Sequence, residues 1–209
     1  MTDTSTGRQM HWQKVYQTKS ADSVSWYRPH LDVSIELLEQ AGLSRQSRLI
    51  DIGGGASSLV DDLLVRGLKG VTVLDISSEA LAIAKARLGA HALEVTWLVG
   101  DVLDAALSSS SFDLWHDRAV FHFLTDTDDA ARYAEQAARV VKAGGHAVIG
   151  GFAPDGPPRC SGLPVARRSG EDIARLLAPA FALEGTRAER HVTPAGAEQS
   201  FAYALLRRL

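Results

Sequence analysis

The chain has 209 residues, 45% hydrophobic and 22% charged, with a formal net charge of −3. A chain of this size can bury one continuous core without staples, and its single cysteine, Cys160, cannot close an internal disulfide. No apolar run reaches the roughly 18 residues of a membrane span, the opening from Met1 to Gln17 is too polar for a signal peptide, and the acidic balance gives no field to attract nucleic acid.

A cytoplasmic protein with one domain over residues 1–209, engaging neither membrane nor nucleic acid, is therefore expected. Residues 1–47 hold an irregular start with Trp12, Tyr16, Trp26 and Tyr27, followed by a helix predicted over Asp32 to Ala41. The aromatics either pack this segment onto the rest or form a lid over a ligand. Residues 48–152 read as the core. The apolar run Arg48 to Ile52 meets Gly53, Gly54 and Gly55, and Ser57 or Ser58 can cap a helix with Leu59, Leu63 and Leu64 that stops at Gly67. Val71 to Leu74 closes on Asp75, and Ser77 or Ser78 caps a helix through Leu81, Ala84 and Leu88. Val95 to Val99 ends at Gly100 and Asp101, and Phe112 to His116 ends at Asp117. A helix over Asp128 to Val141 then stops at Gly144 and Gly145 before a fifth strand, His146 to Phe152.

Residues 153–209 break the alternation. Asp155 to Leu163 reads as an irregular loop, Ser169 and Asp172 as a capping box for a helix over Glu171 to Leu177, and Phe181 to Val192 with Ser200 to Leu206 as an antiparallel strand pair. The pattern predicts an α/β fold: a Rossmann-like doubly wound sheet of seven strands, mostly parallel with an antiparallel C-terminal edge, and helices on both faces.

In such sheets ligands bind beyond the carboxyl ends of the strands, where strand order reverses. Asp51, Gly53, Gly55, Asp75, Asp101 and Asp117 all fall there. Glycines at 53 and 55 let a ligand approach the backbone closely. A dinucleotide fingerprint would place glycine where Ser58 stands, and the carboxylate of Asp51 would repel a pyrophosphate while attracting a ligand that carries an ammonium and a sulfonium. Asp75 follows Asp51 at close to the separation of about 20 at which an acidic residue accepts from ribose hydroxyls. Asp101 can accept from an exocyclic amino group, and the Val102 N–H can meet a ring nitrogen. Helix capping for Asp75 and turn formation for Asp101 are the plainer alternatives.

Asp51-Ile52-Gly53-Gly54-Gly55-Ala56-Ser57, Asp75, Gly100-Asp101-Val102, the run Phe112 to Asp117 and the segment Arg139 to Gly145 resemble, in order, the motifs of the class I S-adenosylmethionine-dependent methyltransferases. The likeness covers roughly residues 45 to 152 and departs at Ser57, where a third glycine is common in that family. It implies that Asp51, Gly53, Gly54 and Gly55 cradle the methionine part of S-adenosyl-L-methionine and that Asp75 with Ile76 borders the ribose. It further implies that Asp101 and Val102 contact adenine and that Asp117 lines the pocket. The opening His11 to Tyr16 resembles a segment of small bacterial members whose N-terminal aromatics close over the cofactor, which adds Trp12 and Tyr16 to the cofactor site.

Methyl transfer from a sulfonium needs alignment and a water-poor site, and a base only where the acceptor arrives protonated. His122 and His116 are the base candidates; each is also explained as a structural histidine. Tyr27, Arg28 and His122 are candidates to meet the acceptor, with Arg28 suited to an acidic small molecule. A small-molecule acceptor is favoured over a protein lysine because no recognition domain is appended. No metal site is expected, since the histidines are scattered and only one cysteine is present. A non-catalytic S-adenosylmethionine-binding module and, more remotely, a nicotinamide-dependent oxidoreductase are the competing readings.

Overall fold

Parallel pairing of short apolar strands and their crossover helices builds the centre of the molecule in the computed structural model, which describes residues 5–209. Strands β1 (Arg48–Ile52), β2 (Gly70–Asp75), β3 (Thr96–Val99), β4 (Phe112–Arg118) and β5 (Val141–Phe152) run parallel. The hairpin of β8 (Phe181–Val192) and β9 (Glu198–Arg208) adds to β5 with β9 antiparallel to it. The order is β3, β2, β1, β4, β5, β9, β8, so the direction of winding reverses between β1 and β4. There Asp51 lies opposite His116 and Ile52 opposite Asp117. This is the doubly wound, mostly parallel sheet with an antiparallel edge that the alternation predicts.

The strands are apolar on both faces because helices cover both. On one face Leu49, Val71, Val73 and Leu114 pack against Ile35 and Leu38 of α2 (Asp32–Gln40), Leu59 and Leu63 of α3 (Leu59–Val65) and Leu81 of α4 (Ser78–Leu88). On the other Ile50, Leu74 and Trp115 pack against Tyr133 and Ala137 of α5 (Thr127–Val140) and Ile173 and Leu177 of α6 (Gly170–Leu177). Ser77 caps α4 by accepting from the Ala80 N–H, and Asp126 caps α5 by accepting from the Asp128 N–H. The Ser169–Asp172 capping box at α6 is present as expected.

Three local expectations need correction. The opening is a helix, α1 (Ser5–Thr18), with Val15 as its one buried residue; without an apolar stripe it gave no helical periodicity to detect. The fifth strand begins at Val141, where a register shift between Phe112 and Leu114 of β4 accommodates Gly144 and Gly145 inside the strand. The stretch from Asp155 to Leu163 is only partly irregular: β6 (Arg159–Cys160) and β7 (Leu163–Pro164) form a small ribbon turned by Ser161 and Gly162, both at positive φ. The predicted bounds of the remaining elements hold to within a few residues, with β4 reaching past Asp117 to Arg118.

Candidate functional site

The turn after β1 is built on close approach. Gly53 sits at φ +66, donates to the Leu74 carbonyl at 2.7 Å, and a Cβ there would lie 2.1 Å from Val120 Cγ2. A Cβ on Gly54 would meet Asp51 Oδ2 at 2.3 Å, and one on Gly55 would meet Asp75 Oδ2 at 2.4 Å. The glycines thus let the turn lie directly against two strand-end carboxylates.

Each predicted carboxylate has a defined setting. Asp51 Oδ1 is 2.7 Å from His116 Nδ1, and its Oδ2 is buried without a hydrogen-bond partner. Asp75 is buried and accepts from the Ser77 N–H at 2.7 Å. Burial pushes its carboxyl up to about 7, against the pull of the Ser77 and Gly55 backbone bonds. Asp101 accepts from the Leu103 N–H at Oδ1, while its Oδ2 receives Arg8 Nε at 3.0 Å and Nη2 at 2.7 Å.

Two adjoining clefts open on this rim. The larger encloses about 810 Å³ of space measured out to solvent and is lined by Trp12, Tyr16, Gly53, Asp75, Ile76, Asp101 and Val102, among others. The smaller, about 500 Å³, is lined by Asp51, Gly53, Gly54, Tyr27, Arg28 and His116, among others. Tyr16, Trp26, Ile52, Gly53 and Arg118 border both and mark their junction. Gly55 lies beneath the turn, outside both sets of lining residues.

Helix α1 forms the roof. Residues four apart share a helix face, and two such rows do different work. Arg8, Trp12 and Tyr16 line the larger cleft. Gln9, Gln13 and Gln17 hold the helix to the start of α4: Gln9 donates to the Ile76 carbonyl, Gln13 accepts from Ser77 Oγ at 2.6 Å and from the Glu79 N–H at 3.1 Å, and Gln17 meets Glu79. Trp12 packs edge to face against Trp26 and Phe123, at centroid distances of 5.7 and 5.1 Å. Burial raises the Tyr16 hydroxyl above its usual range, with the Asp75 charge adding to the effect.

Other candidates lie elsewhere. Asp117 does not line either cleft: Oδ1 accepts from the Val120 N–H, and Oδ2 from the Phe121 N–H and from the Tyr133 hydroxyl at 2.6 Å. Its carboxyl, raised to about 6 by burial, anchors the turn leaving β4. His122 is buried beside Gly151 and Phe152 at a separate, small cavity, and accepts from the Phe152 N–H at Nδ1. Burial, with Arg118 and Arg168 nearby, drives its pKa down to about 3. His116 has both ring nitrogens engaged, the second with Ser34 Oγ at 2.9 Å. Arg28 meets Glu189 at 3.0 Å and the exposed Asp32 at 3.4 Å. Neither histidine presents an unengaged proton acceptor to the larger cleft.

Arg8, Arg118 and Phe123 are among the lining residues that sequence reasoning missed. Arg118 closes β4 directly after Asp117, so extending the search one residue past each strand-end carboxylate would have found it. Arg118 donates from Nε to the Tyr203 hydroxyl at 2.9 Å and from Nη1 to the Trp26 carbonyl at 3.0 Å. Its guanidinium lies over the Phe201 ring at 4.3 Å.

Residues 50–149 match the family model described as a methyltransferase domain. A search of curated proteins returns no match. Among solved structures, a protein studied for the conversion of a disulfide bond into a thioacetal group during echinomycin biosynthesis is 23% identical. That match covers 96% of this chain and 92% of the other, with a TM-score of 0.76. An S-adenosylmethionine-dependent methyltransferase from Methanosarcina mazei is 18% identical over 82% of this chain and 97% of its own, at a TM-score of 0.70. The cyclase SpnF is 15% identical over 95% and 91%, at 0.68. No helix among the described residues is long and apolar enough to cross a membrane.

Proposed function

From a chain that carries a methyltransferase domain on the class I S-adenosylmethionine-dependent methyltransferase fold, we propose a working enzyme that methylates a small-molecule nucleophile. The observation that carries this reading is the rim itself: Asp51, Asp75 and Asp101 border two joined clefts under an aromatic roof. Three carboxylates around a partly dry cavity suit a ligand with an ammonium, ribose hydroxyls and an amino-substituted ring, and oppose a pyrophosphate.

The residues fit that cofactor. The unpartnered, buried Asp51 Oδ2 supplies an acceptor for an ammonium, and a ligand donor there would relieve its desolvation. Asp75 accepts from ribose hydroxyls, and the Val102 N–H with Asp101 reads the ring edge. Arg8 shares Asp101 Oδ2 and keeps that carboxylate turned to the cleft. Gly53 and Gly54 leave the backbone bare where the ligand passes. When bound, S-adenosylmethionine supplies a methyl group already activated on its sulfonium. Trp12, Trp26 and Phe123 exclude water from the reacting end, and the walls align the acceptor for in-line displacement.

Calorimetry with S-adenosylmethionine and with NAD tests the binding half of this reading: binding of NAD alone overturns it. Transfer of a labelled methyl group to small molecules tests the catalytic half. SpnF, a cyclase on the same fold, makes label transfer the deciding readout. Binding of the cofactor without transfer to any compound would favour a binding module.

A further inference from the structure

The proposed methyl transfer leaves one buried cation unused, and a role for that cation in the reaction rests on the methyltransferase reading. Arg118 is 6% exposed in its side chain and borders both clefts. Its Nη2 is buried without a hydrogen bond and stands 3.5 Å from Glu189 Oε2. Glu189 already pairs with Arg28 at 3.0 Å and accepts from the Tyr203 hydroxyl at 2.6 Å. Two guanidiniums thus meet at Glu189, with the exposed Asp32 as a second partner of Arg28, and Arg118 Nη2 is left without a hydrogen bond at the junction of the clefts. The cations of Arg118 and Lys19 both act on the Cys160 thiol in the cleft wall, although burial still pushes that thiol up to about 11.

A guanidinium beside the reacting sulfonium opposes cofactor binding unless an anion lies between them. The cofactor has one carboxylate of its own, but it shares a carbon with the ammonium. An ammonium at Asp51 therefore puts that carboxylate in the smaller cleft, where Arg28 is also found. Arg118 borders the larger cleft as well as the smaller, which sets it within the walls that would hold an acceptor.

The titratable groups of the larger cleft narrow the chemistry. Tyr16 and Cys160 are held neutral by burial, Asp101 is committed to Arg8 and Leu103, and Asp75 to backbone N–H groups. None is a free base, so the acceptor that fits is one already ionised at neutral pH.

We propose that the acceptor is a small carboxylic acid, methylated on a carboxylate oxygen, and that Arg118 Nη2 binds its second oxygen. The attacking oxygen forms the new carbon–oxygen bond as the methyl–sulfur bond breaks, and the electron pair of the broken bond passes to sulfur. The products are a methyl ester and a neutral thioether, and no proton moves.

The test uses the full chain, tritium-labelled S-adenosylmethionine and a small-molecule extract divided on an anion-exchange resin. Label is expected only in products made from the retained, acidic fraction, and mild alkali should release it as volatile methanol. Alkali-stable label, or label from the unretained fraction alone, overturns the proposal. So does cofactor binding with no label transferred, an outcome that also removes the catalytic reading; failure to bind the cofactor at all removes the reading beneath both.

Arg118→Gln, whose loss of charge leaves Glu189 paired with Arg28, should raise KM for the acidic acceptor by about tenfold or more. By calorimetry its Kd for S-adenosylmethionine should stay level or tighten, while that for the uncharged thioether product should stay level. The pair Arg118→Met with Glu189→Gln removes both charges together and guards against misfolding of the single variant. Loss of cofactor affinity by about tenfold in both variants, with KM for the acceptor unchanged, would assign Arg118 to the cofactor's own carboxylate and sink the proposal.

Discussion

His116 and Asp51 share a buried bond, Nδ1 to Oδ1 at 2.7 Å, across the two strands between which the sheet order reverses. With Nε2 held by Ser34 on α2, the ring ties the floor of the smaller cleft to a helix. His116→Phe leaves a buried carboxylate oxygen and a hydroxyl without partners, and should lower stability by about 1–3 kcal/mol in urea unfolding. Unchanged stability with a large fall in kcat would instead make His116 a base.

In the proposed cofactor site Asp75 accepts from the ribose hydroxyls as a carboxylate, and burial holds its pKa at about 7. Cofactor affinity should therefore rise with pH through neutrality and level off above it, with a proton released on binding below that point. Calorimetry in buffers of different ionisation enthalpy reads both effects. Asp75→Ala should weaken binding by about 1–3 kcal/mol and flatten the profile; a profile as steep as the parent's would place the titration elsewhere.

His122 is expected to confer acid sensitivity through its burial. Its folded pKa of about 3 lies below the unfolded value near 6.5, so the unfolded chain takes up the proton first and stability is lost as pH falls between them. Asp75 and Asp117 act oppositely: their raised values, about 7 and about 6, favour the folded state in acid, a contribution lost as pH rises through them. His122→Phe should make acid unfolding shallower while leaving kcat within about twofold. A fall of about a hundredfold in kcat would assign it a catalytic proton transfer.

Gly53→Ala tests the turn. The added methyl group meets Val120 Cγ2 at 2.1 Å and needs φ +66 from a residue that disfavours it. Loss of at least about tenfold in cofactor affinity is expected, with near-native circular dichroism. Retained affinity would mean that Val120 yields and the turn is looser than its packing implies.

Strand and helix order was legible because each parallel strand ends at or within one residue of an Asp or Gly, and α3, α4, α5 and α6 each follow a Ser or Asp. Asp51, Asp75 and Asp101 could be read as a rim for the same reason. Asp117 occupies an equivalent sequence position but was misread, since whether a strand-end carboxylate faces a ligand or the backbone of its own turn depends on Tyr133, sixteen residues on. Arg8 was invisible as a site residue because its partner Asp101 lies far off in sequence, and for Arg118, which its neighbour Asp117 could have flagged, the setting against Tyr203 and Glu189 was hidden for the same reason. Helix α1 was missed because polar bonds hold it, and polar bonds leave no hydrophobic period.

That polar attachment also sets the order in which the molecule assembles. Arg8 reaches Asp101 and Asp129, and Gln13 reaches Ser77 and Glu79, so α1 finds its partners only after most of the sheet exists. Closing such long loops comes late, and a helix with one buried residue adds little to the cooperative core. The roof of the cleft is thus expected to form last and to open at a fraction of the free energy that unfolding the sheet demands, a difference that amide hydrogen exchange along α1 would read.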